Sequence, residues 1–157
     1  MSEAGGRATC IWVDADACPV PVRDMLFRAA TRARVNVTLV ANQWLRTPPS
    51  PFVRAIQVQG GYDVADDAIA LRAGPGDLVV TQDIPLASRV LGSGAEAVNP
   101  RGEAFTAGNI AERLSVRNFM EELRGAGVHT GGPSAYGARE RQAFAAQLDR
   151  WIARRRP

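Results

Sequence analysis

Five aspartates stand at positions where a parallel α/β sheet would bring carboxylates together. They are Asp14, Asp16, Asp66, Asp67 and Asp83. The chain contains no lysine, so no ammonium group is at hand to neutralise such a cluster. Grouped carboxylates without a counter-charge are typical of a site for a hard divalent cation, which prefers oxygen ligands. The pattern therefore predicts a hard divalent cation and metal-assisted chemistry on phosphate, and leaves the substrate open.

Asp14, Asp16 and Asp83 stand at the end of, or just after, two mainly apolar runs that predict buried strands. The first run covers residues 9–14 and the second covers residues 78–81. In a doubly wound sheet of order 3-2-1-4-5, strands one and four are neighbours. Their connections leave in opposite directions, which opens a crevice at the carboxyl ends of the strands. Asp14 and Asp83 are therefore expected to flank that crevice.

Asp66 and Asp67 open a helix predicted over residues 64–73, for which Asp63 is the predicted N-cap. This helix leads into the strand that precedes Asp83, so it can reach the crevice only through its first turn. Acids in a first turn also stabilise the helix dipole by roughly 0.3–1 kcal/mol, which would explain them without any function. We expect at least one of the two acids to face the crevice.

The strand-end acids have structural as well as functional interpretations. Asp14 is interpreted as a metal ligand and Asp16 as a second ligand or a base, although Asp is also common in turns after strands. Asp83 precedes Pro85 at a helix start, so it could cap that helix and still bind a metal. We favour function for Asp14 because like charges crowded into one turn need compensation.

Strands alternate with helices along most of the chain, which predicts right-handed crossovers and a parallel sheet. The predicted strands cover residues 9–14, 36–41, 52–58, 78–81 and 96–99, and the predicted helices cover residues 20–34, 64–73, 84–91, 107–124 and 138–155. A glycine-rich loop joins the last two helices. The expected fold is a three-layer α/β sandwich with a parallel five-stranded sheet of order 3-2-1-4-5, plus two C-terminal helices.

The composition is that of one globular domain. The chain has 157 residues, and 46% of them are hydrophobic, enough for a packed core. We expect a single domain over residues 1–157, with residues 1–8 as a disordered tail. No membrane span or signal peptide is recognisable, so a cytoplasmic protein is expected. With two cysteines and one histidine, neither a disulfide framework nor a structural zinc site is predicted.

The basic residues favour a nucleic-acid partner. All 19 are arginines, and the net charge is +3. Arginine grips phosphate through two parallel hydrogen bonds, although GC-rich coding would also produce this composition. Trp44 with Arg46 could stack on and pair with RNA or DNA. Trp151, beside Arg150 and residues 154–156, could do the same, but we favour a role in docking the last helix.

Two phosphatase patterns compete with the metal-dependent interpretation. Asp14 and Asp16 after a strand resemble the motif of haloacid-dehalogenase phosphatases, in which the first Asp is the nucleophile. Those enzymes use a lysine on the phosphoryl group, and this chain has none. The spacing of Cys18 and Arg23 is one residue too short for a cysteine phosphatase, so Cys18 is interpreted as a structural thiol.

A series of short motifs resembles the bacterial YaiI/YqxD family from about Ile11 to Leu148. The motifs span residues 13–19, 39–43, 63–67, 83–87, 99–102 and 130–133. This resemblance implies a PIN-like fold, whose nuclease members hold Mg²⁺ or Mn²⁺ with acids at the ends of strands one and four and on an intervening helix.

Metal-dependent hydrolysis of phosphodiesters, with RNA rather than DNA as substrate, is the function we expect. By the resemblance, Asp14 and Asp83 bind the metal, Asp66 or Asp67 completes the shell, and Asp16 is an accessory acid that would orient the water. Polar residues after strands two and five are predicted substrate contacts: Asn42, Gln43, Asn99 and Arg101. The alternative of another class is a non-catalytic module that binds RNA or a protein.

Overall fold

The computed structural model describes residues 8–61, 63–129, 131–132 and 135–155. The strands are β1 (Cys10–Asp14), β2 (Asn36–Ala41), β3 (Val53–Gln57), β4 (Leu78–Val80), β5 (Glu96–Val98) and β6 (Ala104–Phe105). The helices are α1 (Val20–Ala33), α2 (Val64–Arg72), α3 (Ile84–Gly92), α4 (Ile110–Gly125) and α5 (Ala138–Arg154). Most of the predicted tail lies outside the described residues, as do Thr130 and Pro133 of the last motif.

One mixed sheet of order β3-β2-β1-β4-β5-β6 organises the described chain. The first five strands are parallel, which confirms the predicted order 3-2-1-4-5. The sixth strand corrects the prediction of five, because Ala104–Phe105 pairs antiparallel with β5. Two residues are too short to produce a recognisable alternation of apolar and polar side chains, so this strand has no sequence signal.

Helices cover both faces of the sheet and create two hydrophobic clusters, which gives the predicted three layers. On one face α1 and α5 bury Leu26 and Phe144 against β1 and β2. On the other face α2 and α3 bury Ile69 and Leu86. Trp151 is 1% exposed, and its indole N–H donates to the carbonyl of Gly76 at 3.2 Å. Trp151 therefore docks the last helix, as preferred from the sequence.

Within the described ranges, no helix has both the length and the apolar character needed to cross a bilayer.

Asp77 is a fully buried carboxylate at the amino-terminal edge of the sheet, opposite the predicted crevice. It accepts hydrogen bonds from the Cys10 backbone N–H at 2.9 Å, the Trp12 indole N–H at 2.9 Å and the Gly74 backbone N–H at 3.0 Å. These bonds tie β1 to the turn that starts β4. Asp77 has no distinguishing signal in the sequence, because an aspartate beside Gly and Pro resembles any turn residue.

We expect Asp77→Asn to lower the free energy of unfolding by about 2–3 kcal/mol. The amide keeps one accepting oxygen but turns an NH₂ group toward a buried donor, so at least one charge-assisted hydrogen bond is lost. Urea denaturation measures the loss. Asp149→Asn is the matched control, because Asp149 forms only an exposed pair with Arg32 and its loss should cost under about 0.5 kcal/mol. Equal stability of the two variants would contradict the structural role of Asp77.

Candidate functional site

The carboxyl ends of β1 and β4 bring two predicted site residues side by side. Asp14 is the last residue of β1, and Asp83 follows β4 as the N-cap of α3. The two strands pair directly, with Val13 opposite Val80. Because α1 leaves β1 on one face of the sheet and α3 leaves β4 on the other, a crevice opens between these ends.

A buried threonine ties the two strand-end acids together. The Thr81 hydroxyl donates to Asp14 Oδ2 at 2.9 Å and accepts from the Asp83 backbone N–H at 2.9 Å. Asp83 Oδ1 accepts from the Leu86 backbone N–H at 2.8 Å, so this carboxylate also caps α3. From the sequence, Thr81 is only the last residue of a predicted strand. A hydroxyl two residues before a helix-capping Asp is the signal that would have marked Thr81 as part of the site.

The pKa values show that acids from three elements share one environment. Burial raises the pKa of Asp14; the Thr81 hydrogen bond opposes this, while the charges of Asp83 and Asp16 add to it. Burial also raises the pKa of Asp66 to about 7, with further contributions from the charges of Asp83 and Asp14 and from a hydrogen bond with Asp83. Asp66 therefore meets the strand-end acids across the crevice, where it lines one pocket with Asp83.

Asp67, the neighbour of Asp66, points elsewhere. Its Oδ1 pairs with Arg89 Nη1 at 2.7 Å, and both side chains are about half exposed. Of the two acids, Asp66 is therefore the one that faces the crevice. Asp63 occupies the N-cap position of α2, but its side chain makes no capping hydrogen bond and its φ is +63°. Aspartate is one of the few residues that tolerate this left-handed conformation.

Asp16 stands at the exposed rim of the crevice and reaches toward β2. Its Oδ2 accepts from the Asn42 backbone N–H at 2.8 Å. This bond joins the turn after β1 to the turn after β2. Asn42 and Gln43 are both exposed beyond β2, so their side chains are accessible at the same edge of the sheet as the acids.

The two predicted contacts after β5 differ from each other. Asn99 is buried, and its Oδ1 accepts from the backbone N–H groups of Arg101 and Glu103, both at 3.0 Å. Its Nδ2 donates to Glu103 Oε1 at 2.8 Å, so the turn uses the whole amide. Arg101 is partly exposed and lies over the ring of Tyr136, 5.9 Å from its centroid. Of the two, only Arg101 has a partly exposed side chain, and its contact with a ligand stays a prediction.

A pocket of about 220 Å³ adjoins the acids on the α3 side. Asp63, Asp66 and Asp83 line it together with two arginines, Arg89 and Arg117. Arg89 carries the surface pair with Asp67, and Arg117 pairs with Glu121 on α4 at 3.1 Å. Neither arginine carries a sequence signal: Arg89 lies within α3 and Arg117 within α4, and only tertiary packing brings the two helices to this pocket.

Cys18 lies near Asp14 but has no reactive thiol. Burial raises its pKa to about 12; the nearby charge of Arg23 works in the opposite direction, and that of Asp14 adds to the rise. A thiol with such a pKa stays protonated at neutral pH and is a poor nucleophile. The interpretation of Cys18 as a structural residue agrees with this environment.

The oxygen donors suit a hard cation, but they do not form a finished coordination group. Among the described residues, no three His, Cys, Asp or Glu side chains are grouped so that they could hold a metal ion. Asp14 and Asp83 each engage one carboxylate oxygen with Thr81 and Leu86, and the second oxygen takes no part in those bonds. An all-oxygen set favours Mg²⁺ or Mn²⁺. The metal site stays a prediction, and a cation would have to draw Asp66 closer to the other two acids.

We expect Asp66→Asn to stabilise the metal-free protein at pH 8 and to leave it nearly unchanged at pH 4. In the folded state the pKa of Asp66 is raised to about 7 from 3.8. The folded protein therefore binds more protons than the unfolded chain between these values, and stability falls as the pH rises through that window. Because Asp66 is partly exposed, solvent screening reduces the effect to about 1–2 kcal/mol.

The measurement is the free energy of unfolding of wild type and Asp66→Asn against pH, with a chelator present. Asp67→Asn is the control and should follow the wild-type curve, because Asp67 lies away from the other acids. Parallel curves for wild type and Asp66→Asn would show that Asp66 does not share its environment with Asp14 and Asp83.

Comparison with known proteins identifies relatives along nearly the whole chain. A family model described as "Uncharacterized BCR, YaiI/YqxD family" matches residues 12–154. A UPF0178 protein of Xanthomonas campestris pv. campestris is 72% identical over 92% of this chain and 90% of its own length. UPF0178 proteins of Aeromonas hydrophila (61%; 92% of this chain, 96% of its own) and Paraburkholderia phytofirmans (58%; 94% and 89%) are also similar. No solved structure matches the chain significantly.

Proposed function

The chain belongs to the YaiI/YqxD family, and from its site we propose that it is a metal-dependent nuclease that hydrolyses phosphodiesters of RNA. One observation carries the proposal. Asp14 ends β1, Asp83 follows β4 and Asp66 lies on α2. Thr81 ties Asp14 to Asp83, and Asp66 lines one pocket with Asp83. Carboxylates held together against their repulsion form a site that a divalent cation would stabilise.

Thr81 and the cap of α3 give the proposed metal ligands fixed positions. Asp14 and Asp83 would bind the cation directly and Asp66 would complete its shell. Thr81 holds both strand-end acids through one hydroxyl, which limits the reorganisation that binding requires. A bound Mg²⁺ or Mn²⁺ would lower the pKa of water and stabilise charge on the phosphate oxygens. Asp16, exposed at the rim, would orient an attacking water.

The pocket beside the acids contains positively charged arginine side chains that could bind the phosphate. Arg89 and Arg117 line it together with Asp66 and Asp83, so a backbone phosphate next to the acids would meet two guanidinium groups. Guanidinium groups bind phosphate oxygens in pairs and stay charged at every physiological pH. Their present partners are surface carboxylates, and such exposed pairs are weak enough for a phosphate to displace.

A non-catalytic RNA-binding module is the second candidate, and one observation favours it. The described residues contain no finished group of metal ligands. A protonated Asp66 would then donate a hydrogen bond to the Asp83 carboxylate, and no cation would be required. The two candidates differ in their response to metal, because only the nuclease gains stability when a cation binds.

We expect saturating Mn²⁺ to stabilise the wild-type protein by roughly 2.7 kcal/mol at 100 times its dissociation constant. For a chain of this size, that gain raises the melting temperature by about 5–10 °C. Asp83→Asn should abolish the gain, and its metal-free form should be as stable as wild type or more so. Asparagine caps a helix as well as aspartate does, so this variant removes the charge and keeps the cap of α3.

Asp67→Asn is the matched control for this experiment. Asp67 bears the same carboxylate one residue away from Asp66 but pairs with Arg89 at the surface, so its variant should keep the full gain from Mn²⁺. A wild-type melting temperature that millimolar Mn²⁺ and Mg²⁺ leave unmoved would reject the metal site and support the non-catalytic module.

A further inference from the structure

We propose that Trp44 and the pocket beside it bind an unpaired nucleobase, so that the ligand of this protein is a single-stranded nucleic acid. The inference rests on the proposed function only in naming a nucleic acid as the ligand. It concerns a second part of the sheet edge, beyond β2 and β3, which the acids do not occupy.

Trp44 is a large aromatic side chain left in solvent. It is 74% exposed, whereas the other tryptophans, Trp12 and Trp151, are 7% and 1% exposed. An indole exposed to this extent gains little stability from the fold, and exposed tryptophans are typical of binding surfaces. Trp44 lies in the loop after β2, and its indole has no structural role comparable to that of Trp151.

The pocket beside Trp44 has the size and lining of a site for a flat heterocycle. It measures about 490 Å³ and lies at the carboxyl ends of β2 and β3, where Ala41 pairs with Gln57. Leu45 and Ile56 contribute apolar walls, and amide side chains stand beside them. Amides donate and accept hydrogen bonds, as the edges of every nucleobase require. Arg46 adds a positive charge suited to a flanking phosphate.

The pocket lies along the same edge of the sheet as the acids. Neighbouring strands are about 4.8 Å apart, so the end of β3 stands roughly 10 Å from the end of β1, which carries Asp14. Asn42, two residues before Trp44, donates its backbone N–H to Asp16 at 2.8 Å. Arg101 stands beyond β5 on the other side of the acids. A single-stranded nucleic acid lying along this edge of the sheet would meet Trp44, then the acids, then Arg101.

The bases of a duplex are paired and stacked on each other, and only an unpaired base can stack on an indole. Duplex RNA is therefore expected to bind this edge only through its phosphates. A protein ligand would have no bases to enter the pocket. These differences commit the proposal to single-stranded nucleic acid and give it a direct test.

The test measures the binding of an end-labelled eight-nucleotide oligouridine to metal-free protein in excess chelator by fluorescence anisotropy of the label, with quenching of tryptophan fluorescence as a second readout in proteins that keep Trp44. Trp12 and Trp151 are buried, so quenching by a stacked base reports on Trp44. In the wild type we expect oligouridine to quench the tryptophan fluorescence. Trp44→Phe should fluoresce more weakly but bind oligouridine with the same affinity. Trp44→Ala should bind about 5- to 150-fold more weakly, the range of one stacked base. Phe119→Ala, which removes another exposed aromatic side chain on α4, should bind like wild type.

An abasic oligomer of the same length and charge, and a duplex of the same sequence, complete the experiment. Both should bind more weakly than oligouridine and leave the fluorescence unquenched. If Trp44→Ala binds oligouridine within twofold of wild type, or the abasic strand binds as tightly, the nucleobase site is rejected. Because no metal and no cleavage enter this measurement, its outcome is separate from that of the nuclease proposal.

Discussion

Asp14→Asn is expected to lower cleavage of single-stranded RNA by about 100-fold or more, while binding of the same RNA changes little. The substitution removes one charged ligand from the proposed metal site. It keeps the shape of the side chain and one oxygen to accept the Thr81 hydroxyl, and it touches no arginine. The measurement is cleavage of a labelled oligoribonucleotide with Mg²⁺, Mn²⁺ or chelator, alongside its dissociation constant in chelator.

Two further variants separate cleavage from binding. Asp67→Asn should cleave like wild type, because its carboxylate faces Arg89 rather than the crevice. Arg101→Ala should weaken binding and reduce its salt dependence by about one phosphate contact. Cleavage of DNA alone would correct the substrate. If purified protein cuts neither nucleic acid with Mn²⁺ but binds RNA equally with and without metal, the non-catalytic module replaces the nuclease. A covalent phosphate trapped on Asp14 would support a phosphatase instead.

Gly102→Ala is expected to lower the free energy of unfolding by about 3–5 kcal/mol. Gly102 has a φ of +85°, and a Cβ at this position would lie 2.4 Å from the backbone carbon of Ala143 in α5. The substitution combines the strain of a left-handed alanine with an overlap that only a shift of α5 can relieve. Urea denaturation measures the loss, and Gly125→Ala is the control because nothing lies within 4 Å of its added Cβ.

The same glycine links the fold to the proposed site. Tyr136, just before α5, donates its hydroxyl to the Pro100 carbonyl at 2.8 Å, so two contacts hold the 99–102 turn against the last helix. Arg101 lies in this turn above the Tyr136 ring. A Gly102→Ala variant that still folds should therefore also bind RNA more weakly. A loss of stability below about 1 kcal/mol would show that α5 does not pack against the turn as closely as described.

The order of the first five strands and the edge at which the acids gather follow from the amino-acid sequence. Apolar runs at 10–14 and 78–80 are buried on both faces, which only central strands of a parallel sheet require. All parallel strands end at the same edge, so the residues that follow them must meet there. The placement of Asp14 next to Asp83 is a consequence of this topology and needs no side-chain detail.

Which of the neighbouring side chains face the crevice depends on how the helices pack against the sheet. Consecutive helical residues differ by about 100° in direction, so sequence alone could not choose between Asp66 and Asp67. Packing sets the rotation of α2, and it turns Asp66 toward Asp83 and Asp67 toward Arg89. Arg117 reaches the pocket from a helix far along the chain. Local patterns record which face of an element is buried, whereas contacts between distant elements depend on how those faces are packed together.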